Sequence, residues 1–95
     1  MTYEEALVKV AAEGAIRAYR LSDSTAYVYR LKNNKYEARG LYAINGDWKL
    51  GNTLVSAQGV GRSVDGWYTV LGMPRRAEPI ENEAAKRTPA IQMLC

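Results

Sequence analysis

The stretch that decides the fold is TAYVYRLKNNKYEARGLYAI, residues 25–44. Its first part, Thr25 to Leu31, is dense in β-branched and aromatic side chains, which favour a β-strand. Lys32 to Lys35 is polar and predicts the loop of a hairpin, and Tyr36 to Ile44 predicts the returning strand. Within that strand we expect Gly40 to mark a β-bulge.

The same stretch sets the faces of the sheet and leads into a third strand. Side chains alternate across a strand, so Tyr27 and Tyr29 share one face while Val28 lies on the other. Asn45-Gly46 is the preferred dipeptide of a type I′ hairpin turn, because both central residues need a positive φ. Asp47 to Leu50 follows as the next strand, so the pattern predicts a sheet of antiparallel hairpins.

The residues before the sheet predict one helix and one short strand. Thr2 and Glu5 fit a capping box, in which the Thr2 hydroxyl accepts the amide proton of Glu5 and the carboxylate reaches back. Apolar residues recur at helical spacing over residues 3–12, and Gly14 stands where a left-handed C-terminal cap belongs. Residues 15–20 then predict a short strand.

The later part of the chain is looser. Residues 51–66 hold four glycines, and a short strand is expected among them at 53–57. Trp67 to Leu71 predicts the last strand. Residues 72–95 contain all three prolines of the chain, which predicts an irregular tail with at most a short helix at 80–87.

Length and charge set the broad class of the protein. The 95 residues suit a single domain. We therefore expect an α+β fold in residues 1–71, with an N-terminal helix packed on a mostly antiparallel sheet of hairpins, and residues 72–95 as the irregular tail. The net charge of +3 is compatible with an anionic small ligand but falls short of a protein that coats nucleic acid.

Histidine is absent from the chain, and the only cysteine is Cys95. A disulfide within the chain is therefore excluded, as are zinc sites built from histidine and cysteine. No run approaches the roughly 20 apolar residues of a membrane span, and the acidic N-terminus does not fit a signal peptide. These features predict a cytoplasmic protein that binds neither a metal nor a membrane.

The sequence offers no side-chain machinery for catalysis. Nucleophilic triads need a base, and histidine is absent. Asp47 and Asp65 each lie close to a glycine, and turn chemistry accounts for both. Gly59-Val60-Gly61 resembles a fragment of a phosphate loop but lacks the lysine and the following helix, so a flexible connection is the simpler interpretation. We expect no enzymatic activity and no cofactor.

Arginine and aromatic side chains are interleaved along the predicted strands. Arginine forks bind phosphates and aromatic faces stack on bases, so this mixture suits a nucleotide. Because the chain has no phenylalanine, tyrosine and tryptophan must also supply its aromatic core. The residues concerned are Arg17, Arg20, Arg30, Arg39 and Arg62, with Tyr19, Tyr27, Tyr29, Tyr42, Trp48 and Trp67.

Several segments together resemble a known family of small phage and prophage proteins. An acidic-Ala-Leu helix opens the chain at residues 2–7, followed by Gly14 and a basic strand at Arg17 to Arg20. Tyr27-Val28-Tyr29 continues the pattern, and Asp65 to Val70 is similar to its closing acidic-x-Trp element. The chain thus resembles the anti-Thoeris sponge family, whose members bind and sequester the cyclic ADP-ribose signal of bacterial Thoeris defence.

The resemblance implies a helix packed on an antiparallel sheet and a homo-oligomer with ligand pockets near its subunit interfaces. It carries five positions over as candidate ligand-binding residues. Arg62, adjacent to the Gly59-Val60-Gly61 loop, is a sixth candidate because its guanidinium would complement a phosphate bound at the amides of that loop. The candidate ligand-binding residues are Arg17, Arg20, Tyr27, Tyr29, Arg62 and Trp67.

The leading hypothesis is therefore sequestration of a small cyclic nucleotide immune signal in the cytoplasm of a bacterial host. The alternative is a phage-encoded inhibitor that binds a host defence protein directly, as an anti-CRISPR protein does, because hairpin edges and a basic, proline-containing tail suit docking. A single-strand nucleic-acid binder would use Tyr27 and Tyr29 as a stacking platform, but the mild net charge argues against it.

Overall fold

The computed structural model of the chain describes residues 1–52 and 65–80. These residues form an α+β fold of one helix and a six-stranded, antiparallel sheet. No helix in the described part is long and apolar enough to cross a bilayer. The elements are α1 (Tyr3–Ala12), β1 (Arg17–Arg20), β2 (Thr25–Lys32), β3 (Lys35–Ile44), β4 (Asp47–Leu50), β5 (Tyr68–Val70) and β6 (Glu78–Pro79).

Both ends of α1 are capped as the sequence predicts. The Glu5 amide donates to Thr2 Oγ1 at 3.1 Å, and the Thr2 amide donates to Glu5 Oε1 at 2.8 Å, which completes the capping box. At the other end Gly14 has a φ of +103°. The Ala15 amide donates to the Val10 carbonyl at 3.0 Å, so the helix ends in a Schellman-type turn.

Two tight turns join the central strands. Asn33 and Asn34 connect β2 to β3 with φ values of 52° and 63°. Asn45 and Gly46 connect β3 to β4 with φ values of 53° and 81°. Positive φ at both central residues is the signature of a type I′ turn, whose twist matches that of the flanking strands. Both predicted hairpins are therefore confirmed.

Strand β3 is the centre of the sheet, whose order is β4-β3-β2-β1-β6. On one side it pairs with β2 through Lys35–Tyr42. On the other side it pairs with β4 through Leu41–Ile44 and with β5 through Tyr36–Ala38, so the sheet forks there. The Gly51 amide donates to the Gly40 carbonyl at 2.8 Å in the gap between the two branches.

The predicted bulge at Gly40 is wrong. Gly40 lies opposite Tyr27 in a register with β2 that runs unbroken from one end of the hairpin to the other. The reason for a glycine here is a side chain two residues on, because a Cβ at position 40 would overlap the ring of Tyr42. The glycine therefore accommodates a neighbouring ring and leaves the strand pairing intact.

The sheet has two different faces, which follow from its register because directly opposed residues share a face. The first, which we call the helix face, carries small and aliphatic residues of the strands and is covered by α1. This cluster buries Trp48 and Trp67 together with the apolar side of the helix. The strands contribute Ala18, Ala26, Val28 and Leu41 to this cluster, and α1 contributes Tyr3, Ala6, Leu7 and Val10.

The opposite face carries six of the chain's seven tyrosines, and we call it the tyrosine face. A second apolar cluster lies on it, in which Met73 and Ala77 cover one end of the tyrosine rows together with Val70. The six residues are Tyr19, Tyr27, Tyr29, Tyr36, Tyr42 and Tyr68.

The segment after β5 returns to the sheet, which the sequence did not predict. Glu78–Pro79 forms β6 and pairs with β1, and the Ile80 amide donates to the Ile16 carbonyl at 2.9 Å. Proline is tolerated in β6 because this strand lies at the edge of the sheet. The strand predicted at 53–57 lies outside the described residues, as does the helix predicted at 80–87 apart from Ile80.

Alanine substitutions at three glycines test the close packing around the fork. Gly66→Ala should lower the free energy of unfolding by at least about 2 kcal/mol, because a positive φ alone costs about 1–2 kcal/mol. At this site the added Cβ would also stand 2.8 Å from both Arg39 Nε and the Gly51 carbonyl oxygen. Gly46→Ala should cost only the φ penalty, and Gly72→Ala, in open space, should change stability by less than about 0.5 kcal/mol. Urea denaturation measures all three, and equal losses for Gly66→Ala and Gly46→Ala would contradict the close contact.

Candidate functional site

The tyrosine face combines a buried floor with an accessible aromatic surface. Tyr29 is fully buried and Tyr27 is 8% exposed, so these two rings lie inside the second apolar cluster, to which Ala77 also belongs and against which Met73 packs. Four further rings are half-buried, which leaves part of each accessible to a ligand. These four are Tyr19, Tyr36, Tyr42 and Tyr68.

The ring of Tyr42 packs closely over the backbone of two glycines on this face. A Cβ added at Gly40 or at Gly51 would overlap that ring, so it rests on both glycines. Burial raises the pKa of the Tyr42 hydroxyl above its ordinary value of 10.0, and the nearby hydroxyls of Tyr27 and Tyr68 raise it further. Three tyrosines therefore converge around a floor of glycine.

Basic side chains lie at the margins of the tyrosine face. Arg17 lies opposite Tyr29 on this face, and its Nη1 donates to the Ala77 carbonyl at 3.1 Å. Arg75 and Arg76 are exposed in the turn that precedes Ala77. These arginines give one end of the face a positive charge, which suits an anionic ligand.

Lys49 supplies a positive charge at the other end. It is exposed and lies directly opposite Tyr42, on β4. Asp47 lies on the same strand and forms an ion pair with the N-terminal ammonium, whose hydrogen bond lowers the pKa of the Asp47 carboxyl. The charge of the Asp47 carboxylate is therefore partly neutralised by the ammonium group. The sequence analysis missed Lys49 because it looked for ligand-binding residues among arginines and aromatic side chains.

The sheet divides the residues that the sequence proposed as ligand-binding. Arg17, Tyr27 and Tyr29 lie together on the tyrosine face. Arg20 lies on the helix face, where its guanidinium is 4.7 Å from the centre of the Tyr3 ring. Trp67 is buried in the cluster beneath α1. The remaining residue, Arg62, lies outside the described residues.

Two arginines of the helix face are buried in a polar network. Arg30 lies 4.2 Å from the ring centre of Trp67, Nε donates to Glu37 Oε1 at 2.8 Å, and Nη1 donates to the Glu13 carbonyl at 2.8 Å. A guanidinium held by a carboxylate, a carbonyl and an aromatic face has its charge compensated within the protein. Arg30 is therefore a structural residue in this arrangement.

Arg39 completes the network from the neighbouring strand. Its Nε donates to the Gly51 carbonyl at 3.0 Å and its Nη1 donates to Glu13 Oε1 at 2.6 Å. The same Glu13 oxygen accepts a hydrogen bond from Trp67 Nε1 at 2.8 Å. In the described part of the chain no buried side-chain nitrogen or oxygen lacks a partner. Alternation along β2 predicts that Arg30 shares the face of Val28, which is confirmed, and the same reasoning along β3 could have assigned Arg39 to it. The partners of both arginines include segments distant in the chain, which alternation does not reveal.

The described ranges, 1–52 and 65–80, contain no group of three or more acidic, cysteine or histidine side chains placed to hold a metal ion. No protein-family model matches the chain, and neither a curated protein nor a solved structure shows significant similarity to it. The geometry of the two faces is thus the basis for assigning a function.

Replacing Glu13 tests whether the network stabilises the fold. Glu13 follows the last residue of α1, where a carboxylate opposes the helix dipole, so its removal would stabilise an isolated helix. Glu13→Ala should instead lower the free energy of unfolding by about 2–3 kcal/mol, because Arg39 and Trp67 each lose an acceptor. Glu4→Ala, in the first turn, is the matched control and should cost less than about 1 kcal/mol. Urea denaturation compares them, and a stabilised Glu13→Ala variant would contradict the role of the network.

Proposed function

We propose that this protein is a non-catalytic binding protein that sequesters a small phosphate-bearing nucleotide on its tyrosine face. The ligand class is a cyclic nucleotide immune signal of the cyclic ADP-ribose type, and its capture blocks bacterial anti-phage defence. The observation that carries the proposal is the segregation of six tyrosines onto one face with basic side chains at both ends.

The aromatic surface supplies a stacking platform for the base. Stacking of a base on an aromatic side chain is worth about 1–3 kcal/mol per base. Tyr19, Tyr36 and Tyr68 are half-buried, so their rings are already oriented by the sheet. Such rings lose little conformational entropy on binding, which favours tight capture of a small ligand.

The arginines and lysine at the margins supply the contacts for phosphate. Arg17 donates from Nη1 to the Ala77 carbonyl, which positions its side chain, and the residue is half-buried. Charge-assisted hydrogen bonds to phosphate are about twice as strong as neutral ones. Lys49 adds a second positive charge beside Tyr42. Sequestration requires binding alone, so it needs no catalytic base.

The resemblance to the anti-Thoeris sponge family supports the same ligand class. It also implies a homo-oligomer, in which a second copy of the chain would complete the pocket over the tyrosine face. Arg17, Tyr27 and Tyr29 are shared between that resemblance and the tyrosine face, whereas Arg20 and Trp67 have structural partners on the helix face.

A second candidate function is direct inhibition of a host defence protein. Leu31 and Ile44 lie on the tyrosine face and are 52% and 64% exposed. Exposed apolar side chains beside tyrosines are typical of the centre of a protein–protein interface. This candidate predicts that the face is covered by a protein partner at one copy per chain.

Arg17 and Arg20 form a matched pair that tests the leading proposal, because they lie on the same strand but on opposite faces. Arg17→Ala should weaken binding of cyclic ADP-ribose by about tenfold or more, as expected for loss of a charge-assisted hydrogen bond. Arg20→Ala should bind within about twofold of the unchanged protein. Isothermal titration calorimetry measures both constants, and circular dichroism verifies that both variants are folded.

Two results would overturn the proposal. The first is an absence of heat with cyclic ADP-ribose and with other adenine nucleotides, since sequestration requires binding to the unchanged protein. The second is a larger loss for Arg20→Ala than for Arg17→Ala, which would place the ligand on the helix face. Native mass spectrometry of protein purified from bacteria detects a co-purified nucleotide, whereas a stoichiometric protein partner would favour the second candidate.

A further inference from the structure

The surface beneath the Tyr42 ring has the features of a ligand-binding slot, which the protein fills with its own side chain. Its floor is the backbone of Gly40 and Gly51, which are joined by a 2.8 Å hydrogen bond between neighbouring strands. Neither glycine could carry a Cβ without overlapping the Tyr42 ring. Neither has a positive φ, so backbone conformation does not require glycine at either position.

Two further tyrosines stand beside this floor. Tyr27 lies opposite Gly40 on β2, and Tyr68 lies on β5, beyond the fork. The Tyr68 hydroxyl donates to the Asn52 carbonyl at 2.8 Å, which brings its ring alongside the residue that follows Gly51. Their proximity raises the pKa of the Tyr42 hydroxyl above its ordinary value, in addition to the effect of burial. The slot is thus lined by aromatic side chains on both sides.

The occupant is more exposed than the buried tyrosines of the same face. Tyr42 is half-buried at the surface of the sheet, whereas Tyr27 and Tyr29 are buried in the second apolar cluster. Rotation about the Cα–Cβ bond of a surface tyrosine is fast and moves the ring without moving the strand. A departing Tyr42 ring would leave two bare glycine residues, which another flat ring would cover again.

We propose that Tyr42 is a displaceable plug, and that the planar base of a nucleotide takes its place over Gly40 and Gly51 between Tyr27 and Tyr68. The inference rests on the proposed function and identifies where on the tyrosine face the base binds. Tyr42 then competes with the ligand and does not stack on it.

The geometry of the slot selects a flat aromatic ring over a sugar or an aliphatic group. A floor without Cβ atoms lets a planar ring lie directly on peptide groups, whereas a puckered ring touches such a floor at fewer atoms. Lys49 lies opposite Tyr42, so a phosphate attached to the base through its sugar would extend toward an ammonium group. A purine nucleotide combines these two features.

The direction in which removal of the Tyr42 ring changes ligand affinity distinguishes a displaceable plug from a stacking partner. Removal of a stacking partner weakens binding, whereas removal of a competing side chain strengthens it. If the ring is seated in about nine molecules of ten, its removal increases the apparent affinity about tenfold, because only the open form binds. Adenosine is the suitable probe, since it carries the base without the phosphates that Arg17 and Lys49 would contact.

The experiment measures adenosine binding by titration of ¹⁵N-labelled protein and follows the amide signals of Gly40 and Gly51. Tyr42→Ala should bind adenosine about tenfold more tightly than the unchanged protein. Tyr36→Ala, which removes another half-buried tyrosine of the same face, should not gain affinity. Adding Gly40→Val to Tyr42→Ala should abolish the gain, because the valine side chain fills the floor.

A Tyr42→Ala variant that binds adenosine equally or more weakly overturns the inference, and so does a gain that survives Gly40→Val. If Tyr42→Ala fails to fold, the unchanged protein provides the test. Adenosine at high concentration must then shift the amide signals of Gly40 and Gly51, and unshifted signals overturn the inference. Failure of the proposed function would give a different result from failure of this inference. Cyclic ADP-ribose would then not bind the unchanged protein, while the gain in adenosine binding on removal of Tyr42 would remain.

Discussion

The burial of two guanidinium groups is the constraint on which the arrangement of this protein depends. Arg30 and Arg39 are 8% and 9% exposed, and a buried charge is tolerated only when it is paired and hydrogen-bonded. Their partners come from the end of α1 (Glu13), from the residue after β4 (Gly51) and from the segment before β5, where the Trp67 ring packs against Arg30. One network therefore fixes the ends of three elements against the central hairpin, at the point where the sheet forks.

This network and α1 occupy the helix face, and the polar chemistry of the other face is left to tyrosine and to surface cations. The basic side chains of the two faces differ accordingly. Arg30 and Arg39 are paired with groups of the protein, whereas Arg17 and Lys49 border the tyrosine face. The division explains how a small domain can hold a buried polar network on one side of its sheet and an aromatic face on the other without the two competing for the same residues.

The sequence predicts the parts of this fold that local chemistry controls. The capping box at Thr2, the left-handed Gly14 and the Asn45-Gly46 turn each have a local cause, and each is confirmed. Gly40 was misread because its cause, the Tyr42 ring, lies on the same strand but acts through packing. The faces of individual strands follow from alternation, but which face α1 covers depends on contacts distant in the chain. Strand β6 has no signature of its own, since the edge of β1 determines its conformation.

The two-residue strand β6 also determines how the sheet ends. An open edge is a row of unpaired amides and carbonyls, and such a row is a template on which further strands can add. β6 covers part of β1, and Pro79 within it has no amide proton to offer a further strand. Within the described residues, β6 therefore leaves the β1 side of the sheet a poor template for a further strand, whereas β4 and β5 form its opposite edge.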